Sequence, residues 1–297
     1  MRAVVTGGAG FIGSNLVDRL LDRGDHVTVV DNFATGKRAN LSPAATLLEH
    51  DIREPFSLEA DVVFHLAAQA DVQTSMHRPE YDAAVNVVGT VNVLQAAPAA
   101  QVVFASSGGA GYGECAARAT EETPFLPESP YGIAKKCGEE YLAGWNRIHG
   151  NAHVSLRFAN VYGPRQAAGL EGGVVAIFLG GMARGEETVI FGDGTQSRDF
   201  VYVEDVVASL LAVTGAGGGP FNVGTGSDTS VAALHRACAA VAGVTARPRH
   251  EVARLGDIQR SVLDASLIER ERGWQARVPL DEGLRRTWAW MQEEQGA

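Results

Sequence analysis

The segment Thr6-Gly-Gly-Ala-Gly-Phe-Ile-Gly13 constrains the fold of this chain more than any other stretch. It follows a short apolar run, Ala3 to Thr6, and opens a helical pattern, Phe11 to Arg23. Its glycines satisfy two spacings, Gly7, Gly10, Gly13 and Gly8, Gly10, Gly13. A side chain at that turn would keep a diphosphate from the helix N-terminus, where free N–H groups and the dipole favour anions. Asp31 ends the second strand 18 residues after Gly13, where a carboxylate accepts bonds from ribose hydroxyls and repels a 2′-phosphate. The pattern predicts a dinucleotide site that prefers NAD to NADP. Lys37 and Arg38 are close by, either as solvated side chains or as a counterweight to that preference. No Gly-Lys-Ser/Thr follows the glycines, which excludes a P-loop ATPase. Asp51 and Ile52, after the third strand, are either an adenine cap or a strand-end turn.

Further apolar runs, Val27 to Val30, Thr46 to Leu48, Val62 to Ala67, Val102 to Ser106 and Val154 to Phe158, alternate with helical patterns at Tyr81 to Ala97 and Tyr131 to His149. Runs of this kind read as parallel strands covered on both faces by crossover helices. The expected fold is therefore α/β, a doubly wound parallel sheet with ligands at the carboxyl ends of its strands. After Gly163-Pro164 the alternation loosens. A strand at Asp199 to Val203, a helix from Val206, a glycine-rich turn at Gly215 to Pro220 and a strand at Phe221 to Val223 stand between two mixed segments. The division predicted is a dinucleotide domain of residues 1–165 with 199–226, and a smaller mixed α/β substrate lobe of 166–198 and 227–297. Glycine supplies 35 of 297 residues, about 12% against a usual share of about 7%.

A net charge of −10 argues against a nucleic-acid partner. No apolar run reaches the length of a membrane span, about 18 residues, and the N-terminus lacks the segments of a secretory signal. Three scattered cysteines, Cys115, Cys137 and Cys238, suit a reducing cytoplasm better than a disulfide framework. The histidines do not cluster as metal ligands; His149 and His153 are four apart, but Gly150-Asn151 breaks the helix between them. No metal site is expected.

Tyr131 and Lys135 lie four apart at the start of a helix, on one face. A tyrosine acting as base near neutral pH must lose roughly three units from its ordinary pKa of about 10, or about 4 kcal/mol. A nearby ammonium and a nicotinamide cation would supply that shift. Alone, such a pair is common surface chemistry. Here it accompanies the upstream dinucleotide loop and the Ser106-Ser107 pair at the end of the fifth strand.

Together these features resemble the extended short-chain dehydrogenase/reductase superfamily, and within it the nucleotide-sugar 4-epimerases of the UDP-glucose 4-epimerase type. The resemblance rests on TGGAGFIG (6–13), DNFATGKR (31–38), HLAAQADV (65–72), SSGGAGYGE (106–114), SPYGIAKK (129–136), LRFANVYGPRQ (156–166), GVVAIF (173–178), RDFVYVEDV (198–206), FNVGTG (221–226) and GDIQRSVLD (256–264), in family order over nearly the whole chain. It implies a tightly held NAD that removes hydride from sugar C4 while Tyr131, as phenolate, takes the O4 proton. The 4-keto sugar then turns about its diphosphate and is reduced on its other face. By resemblance Lys135 bonds the nicotinamide ribose, and Ser107 bonds O4 because the usual hydroxyl position holds Gly108. The cofactor would meet Gly7, Gly10, Phe11, Ile12, Gly13, Asp31, Asn32, Thr35, Gly36, Asp51, Ile52, Leu66, Ala67, Ala68, Asn86, Ser106 and Phe158. The UDP-sugar would meet Gly108, Asn160, Val174, Val189, Phe191, Arg198, Arg254, Asp257 and Ser261.

Related dehydratases place Asp-Glu, and related decarboxylases a Glu, where this chain has Gly108, Gly109 and Ala110, so elimination lacks its acid and base. Ser261 stands where family members place a gatekeeper beside the sugar 2-substituent, and a serine leaves room for an N-acetyl group. The alternatives are a UDP-glucuronate or dTDP-sugar 4-epimerase, a 4,6-dehydratase, and a non-catalytic NAD-sensing protein. The absence of a Gly-x-Ser-x-Gly elbow counts against a hydrolase. The resemblance also implies a homodimer built by pairing the helices at Tyr81 to Ala97 and Tyr131 to His149, and Trp288 and Trp290 are expected to pack a last helix.

Overall fold

Residues 3 to 6 of strand β1 (Arg2–Thr6) are all buried, so both faces of the strand need cover and both edges need partners. In the computed structural model, which describes residues 1–167, 173–253 and 258–296, β1 is central in a seven-stranded sheet. Its companions are β2 (His26–Asp31), β3 (Thr46–Glu49), β4 (Val62–His65), β5 (Gln101–Ser107), β6 (Val154–Phe158) and, much later, β11 (Phe221–Val223). The spatial order is β11-β6-β5-β4-β1-β2-β3, and every pairing is parallel. Strand order reverses between β1 and β4, which opens the ligand crevice of a doubly wound sheet outside their carboxyl ends.

Helix α1 (Phe11–Asp22) covers one face through Leu16, Val17 and Leu20. The first loops after β4 carry α2 (Val72–His77), then α3 (Pro79–Ala83), a π-helical stretch (Ala84–Val88) and α4 (Gly89–Ala96). After β5 come the single turn α5 (Gly108–Gly111) and the long α6 (Pro130–His149). Val93 and Leu94 of α4 and Leu142 of α6 fill the core under the opposite face. The helix expected at Tyr81 to Ala97 is thus interrupted by a π turn. The chain beyond β6 forms β7 (Asn160–Tyr162), α7 (Val174–Ala183), β8 (Val189–Phe191), β9 (Ser197–Arg198), β10 (Phe200–Tyr202) and α8 (Val203–Ala212). After β11 follow β12 (Thr229–Ser230), α9 (Val231–Ala242), β13 (Arg249–Glu251), β14 (Arg260–Ser261), α10 (Ser266–Arg272) and α11 (Leu280–Gly296).

The strand expected at Asp199 to Val203 is two strands in two sheets, β9 between β12 and β14, and β10 beside β7. Asp199 is the pivot: fully buried, it accepts Thr225 N at 2.9 Å, Thr225 Oγ1 at 2.6 Å and Gly226 N at 3.0 Å. The helix expected from Val206 begins at Val203 because Glu204 and Asp205 suit the first turn of a helix dipole. A second core joins Phe178 and Leu179 of α7, Leu234 of α9 and Leu284 of α11, with Trp288 and Trp290 packed against it. Ile268 and Trp274, assigned by sequence to the smaller lobe, pack in the core of the sheet, where the Trp274 indole donates to Asp205 O at 2.9 Å. No helix among the described residues is long and apolar enough to cross a membrane.

Candidate active site

The β1 turn and the β4 loop meet at the crevice floor. A methyl group on Gly13 would lie 2.1 Å from Gly7 O, and one on Gly7, whose φ is +71°, would lie 2.7 Å from Ala67 N. Helix α1 starts at Gly10 with no side-chain cap and no acidic residue in its first turn. By contrast Asp71, Ser107, Ser129 and Ser230 cap α2, α5, α6 and α9. A bare helix start floored by glycines suits a diphosphate, so the residues present fit a dinucleotide. Asp31 accepts Ala9 N at 2.9 Å and Phe33 N at 2.8 Å, one bond to each oxygen, which leaves each a lone pair for a ribose hydroxyl. Arg38 is paired with Glu49 and stacked 4.0 Å from the centroid of Phe33 on the exposed surface.

Asp51 is held by Arg53 through bonds of 3.0 and 2.7 Å and by Asn32 at 2.9 Å. These partners, Arg53 first, hold its carboxyl well below the usual range. Ile52 is buried, and a methyl group on Gly89 would press on it at 2.7 Å. Phe158 is buried in the sheet core.

A directed chain of hydrogen bonds fixes the Leu66-Ala67-Ala68 segment. Thr90 Oγ1 donates to Asn86 O at 2.7 Å, so His65 Nε2–H donates to Thr90 Oγ1 at 3.0 Å. Nδ1 of His65 then accepts from Thr6 Oγ1 at 2.8 Å, which in turn receives Ala67 N at 3.2 Å. This requires neutral His65, and burial pushes its pKa down to about 3. The unfolded chain binds a proton below pH ~6.5 that the folded chain refuses, so stability falls as pH falls, by about 1.4 kcal/mol per unit or about 2 kcal/mol from pH 6.5 to 5. Urea unfolding at both pH values should show His65→Gln to be less stable at neutral pH but with a shallower acid slope. An unchanged slope would exclude His65 as the source.

Three residues on one face of α6 serve the last three of β5. Tyr131 lies beside Ser107, whose hydroxyl favours its ionised form, Lys135 Nζ donates to Ala105 O at 2.9 Å, and Ser106 Oγ donates to Glu139 Oε1 at 2.5 Å. Ser107 is therefore the serine that meets Tyr131. Ser106, expected to touch the cofactor, is buried with its hydroxyl on an ionic network, because Arg157 pairs with Glu139 at 2.6 Å and donates to Tyr112 OH at 2.8 Å. Asn86, also expected at the cofactor, uses its amide to hold the loop: it donates to Gln69 O and Asp82 Oδ1, both at 2.9 Å, and receives Gln69 N at 3.0 Å.

Burial pushes the Tyr131 hydroxyl up to about 12, with Ser107 pulling it back. Burial pushes Lys135 down to about 8. The Lys135 ammonium lies 5.7 Å from the Tyr131 ring centroid and is turned to Ala105 O.

Across the crevice, a methyl group on Gly109 would sit 3.5 Å from Asn160 Oδ1. Ser261 on β14 is buried and pairs with Arg198 on β9. Val174 begins α7, while Val189 and Phe191 bound β8, and Phe191 lines a cleft of about 310 Å³ with Asp193, Thr195 and Gln196. Arg254 and Asp257 lie outside the described residues. Sequence reasoning missed Glu139, Arg157 and Asp82. An arginine inside a fully buried strand was the available signal for Arg157, since buried charges are paired.

A glycine-floored dinucleotide crevice with a half-buried tyrosine and a buried lysine one helical turn apart beside it is the arrangement of the extended short-chain dehydrogenase/reductases, enzymes that work on hydroxyl groups beside a nicotinamide. The chain belongs to the NAD dependent epimerase/dehydratase family, whose pattern its residues 3–224 match; NAD is its cofactor. A UDP-glucose 4-epimerase of Mycolicibacterium smegmatis is 44% identical over 304 residues, covering 97% of each chain. The structure of a Thermotoga maritima UDP-glucose 4-epimerase with UDP-glucose is 40% identical and matches 99% of this chain and 100% of its own, with a TM-score of 0.95. That of a Thermus thermophilus UDP-glucose 4-epimerase complexed with NAD is 39% identical and matches 98% and 99%, with a TM-score of 0.92.

Proposed function

We propose that this chain is a UDP-glucose 4-epimerase that interconverts UDP-glucose and UDP-galactose and also accepts the N-acetylated pair. The observation that carries the proposal is the Ser107–Tyr131 pair, followed by Gly108, Gly109 and Ala110 where elimination would need acidic side chains. The full-length similarity to 4-epimerases supports the same reading. NAD, when bound, supplies the acceptor and later the donor of the C4 hydride, and a positive ring beside Tyr131. Tyr131 takes the proton of O4 while Ser107 holds that oxygen. The 4-keto sugar turns in the space left by Gly109, so that the hydride would return to the other face of C4 while Tyr131 gives the proton back to O4. Arg198, with Arg254 and Asp257, holds the diphosphate and uridine, since a planar guanidinium donates two bonds at once.

The cofactor part is 1–165 with 199–226 and the substrate part 166–198 with 227–297, α10 excepted. Ile133, Tyr141 and Ile148 of α6 and the nearby Val88 are exposed apolar side chains, and they support a homodimer paired through these helices. Three free thiols, Cys115, Cys137 and Cys238, suit a reducing cytoplasm.

The test is to incubate the purified protein and NAD with UDP-glucose and, separately, UDP-N-acetylglucosamine, resolving products by NMR. Both C4 epimers are expected, and a 4-keto-6-deoxy product or no product overturns the proposal. Ser261→Tyr should keep the first conversion and slow the second about tenfold or more; two unchanged rates would remove Ser261 as gatekeeper.

A further inference from the structure

Asp82, on α3, is 1% exposed. Its Oδ1 accepts Gln69 Nε2 at 2.8 Å and Asn86 Nδ2 at 2.9 Å, whereas its Oδ2, buried equally well, has no hydrogen-bond partner among the described residues. Neutral amides fix the side chain without neutralising it. Burial pushes the Asp82 pKa up, with Gln69, Lys135 and Asn86 pulling it back, and a buried carboxyl left half-satisfied stays ionised only where an opposite charge faces it. Helix α3 packs on α6, and an ionised Asp82 favours the charged form of Lys135 while opposing ionisation of Tyr131.

The charged and titratable groups around the Lys135 ammonium are few: Tyr131 and Glu139 on its own helix, His65 on β4 and Asp82 on α3. His65 is neutral. Glu139 is already committed, because both its oxygens accept from Arg157 and one also from Ser106. The positive cofactor ring and the Tyr131 phenolate exist in the same half of the proposed cycle and cancel each other. Lys135 is the charge left over in both halves.

We propose that Asp82 is a positioning residue whose carboxylate is the counter-charge of Lys135, keeping it an ammonium in the closed, dry crevice through the whole cycle. Through Asn86 and Gln69 the same carboxylate ties the Leu66-Ala67-Ala68 loop to Lys135, so cofactor loop and reacting pair are set by one group. The inference rests on Tyr131 and Lys135 being the reacting pair, but not on which sugar they serve.

Lys37, Lys135 and Lys136 are the only lysines of the chain, so the holo-enzyme labelled with ¹⁵N at the lysine ε-nitrogen gives a simple spectrum. The Lys135 signal is the one lost in Lys135→Met. In Asp82→Asn its titration midpoint should fall by about one pH unit or more, and in Asp82→Glu it should stay near that of the wild type. An unchanged midpoint in Asp82→Asn overturns the proposal. Should Asp82→Asn not fold, the wild type still decides: the ¹³C carboxyl signal of Asp82 must be that of an ionised group at pH 7, and a protonated Asp82 overturns the proposal. Turnover provides the second arm. Asp82→Asn should lower kcat about tenfold with little change in KM, yet cost nothing further in a Lys135→Met background. Equal losses in both backgrounds would mark Asp82 as merely structural. Neither arm depends on the name of the sugar, so a wrong substrate assignment would leave the titration result standing.

Discussion

Tyr131→Phe should lower kcat by about three orders of magnitude, within the 10²–10⁴ range that positioned proton transfer supplies, while leaving bound NAD and the thermal midpoint close to those of the parent. The ring stays, so its packing stays. What goes is the hydroxyl that meets Ser107, and with it the acceptor for the O4 proton. The structure sharpens why the cofactor matters to this step. Burial places the free hydroxyl up at about 12, far too high for a base at neutral pH, and Lys135 is directed at a backbone carbonyl. The drop needed for catalysis is expected from the Lys135 ammonium together with the positive ring of bound NAD. The measurement is steady-state turnover of UDP-glucose with NAD content determined on the same preparation. A loss smaller than tenfold would assign the proton to another group, and a protein that only senses NAD would show none.

Gly13→Ala is the second large effect, and it acts on the cofactor instead of the chemistry. Its methyl group would meet Gly7 O at 2.1 Å and Gly8 Cα at 2.8 Å. Both obstacles are backbone, and neither swings aside as a flexible side chain does. Either the β1 turn opens or α1 withdraws from the sheet, and in both cases the amides that face the diphosphate lose their arrangement. The purified variant should carry less than about a tenth of the wild-type NAD and unfold with about 1–3 kcal/mol less stability, the usual cost of an overpacked site. Nucleotide released by acid and measured by absorbance gives the first number, and urea unfolding gives the second. Full NAD occupancy in Gly13→Ala would mean that the loop is not the diphosphate cradle.

These two residues belong to the part of the molecule that sequence displays openly. A glycine loop between strand and helix, a carboxylate at the end of β2 and a tyrosine–lysine pair at a helix start are local patterns, and each corresponds to one local geometry. Five of the six leading strands were legible for the same reason, being short apolar runs largely buried on both faces, whereas β3 is an exposed edge strand. What stayed hidden depends on meetings between distant segments. Ser106 and Ser107 look alike in sequence, and only the approach of Glu139 and Arg157 separates them. Asp82 reads as an ordinary polar residue of an amphipathic helix, and Asn86 as a cofactor contact only by resemblance, until the π turn and the Gln69 loop close on them. Helix α7 has the opposite difficulty: VVAIFLGGMA is apolar all round, so it offers no helical period to detect. The split of β9 from β10 at Asp199 is set by Thr225 and Gly226, some 26 residues further on.

The seventh strand of the sheet has a consequence for how the chain is made. Strand β6 is buried along its whole length, yet its outer neighbour β11 arrives only at Phe221–Val223, after the polypeptide has left the sheet and built β7 to α8. During synthesis, the dinucleotide half therefore leaves the ribosome with an apolar edge uncovered, a template for strand addition by any neighbouring chain. A nascent chain halted near residue 165 should be a client for chaperones and poor at holding NAD. One halted well past residue 223 should already own a closed sheet. The crossing back makes the cofactor site and the sugar site a single act of folding, so neither half is available to evolve, or to be expressed, as an independent piece.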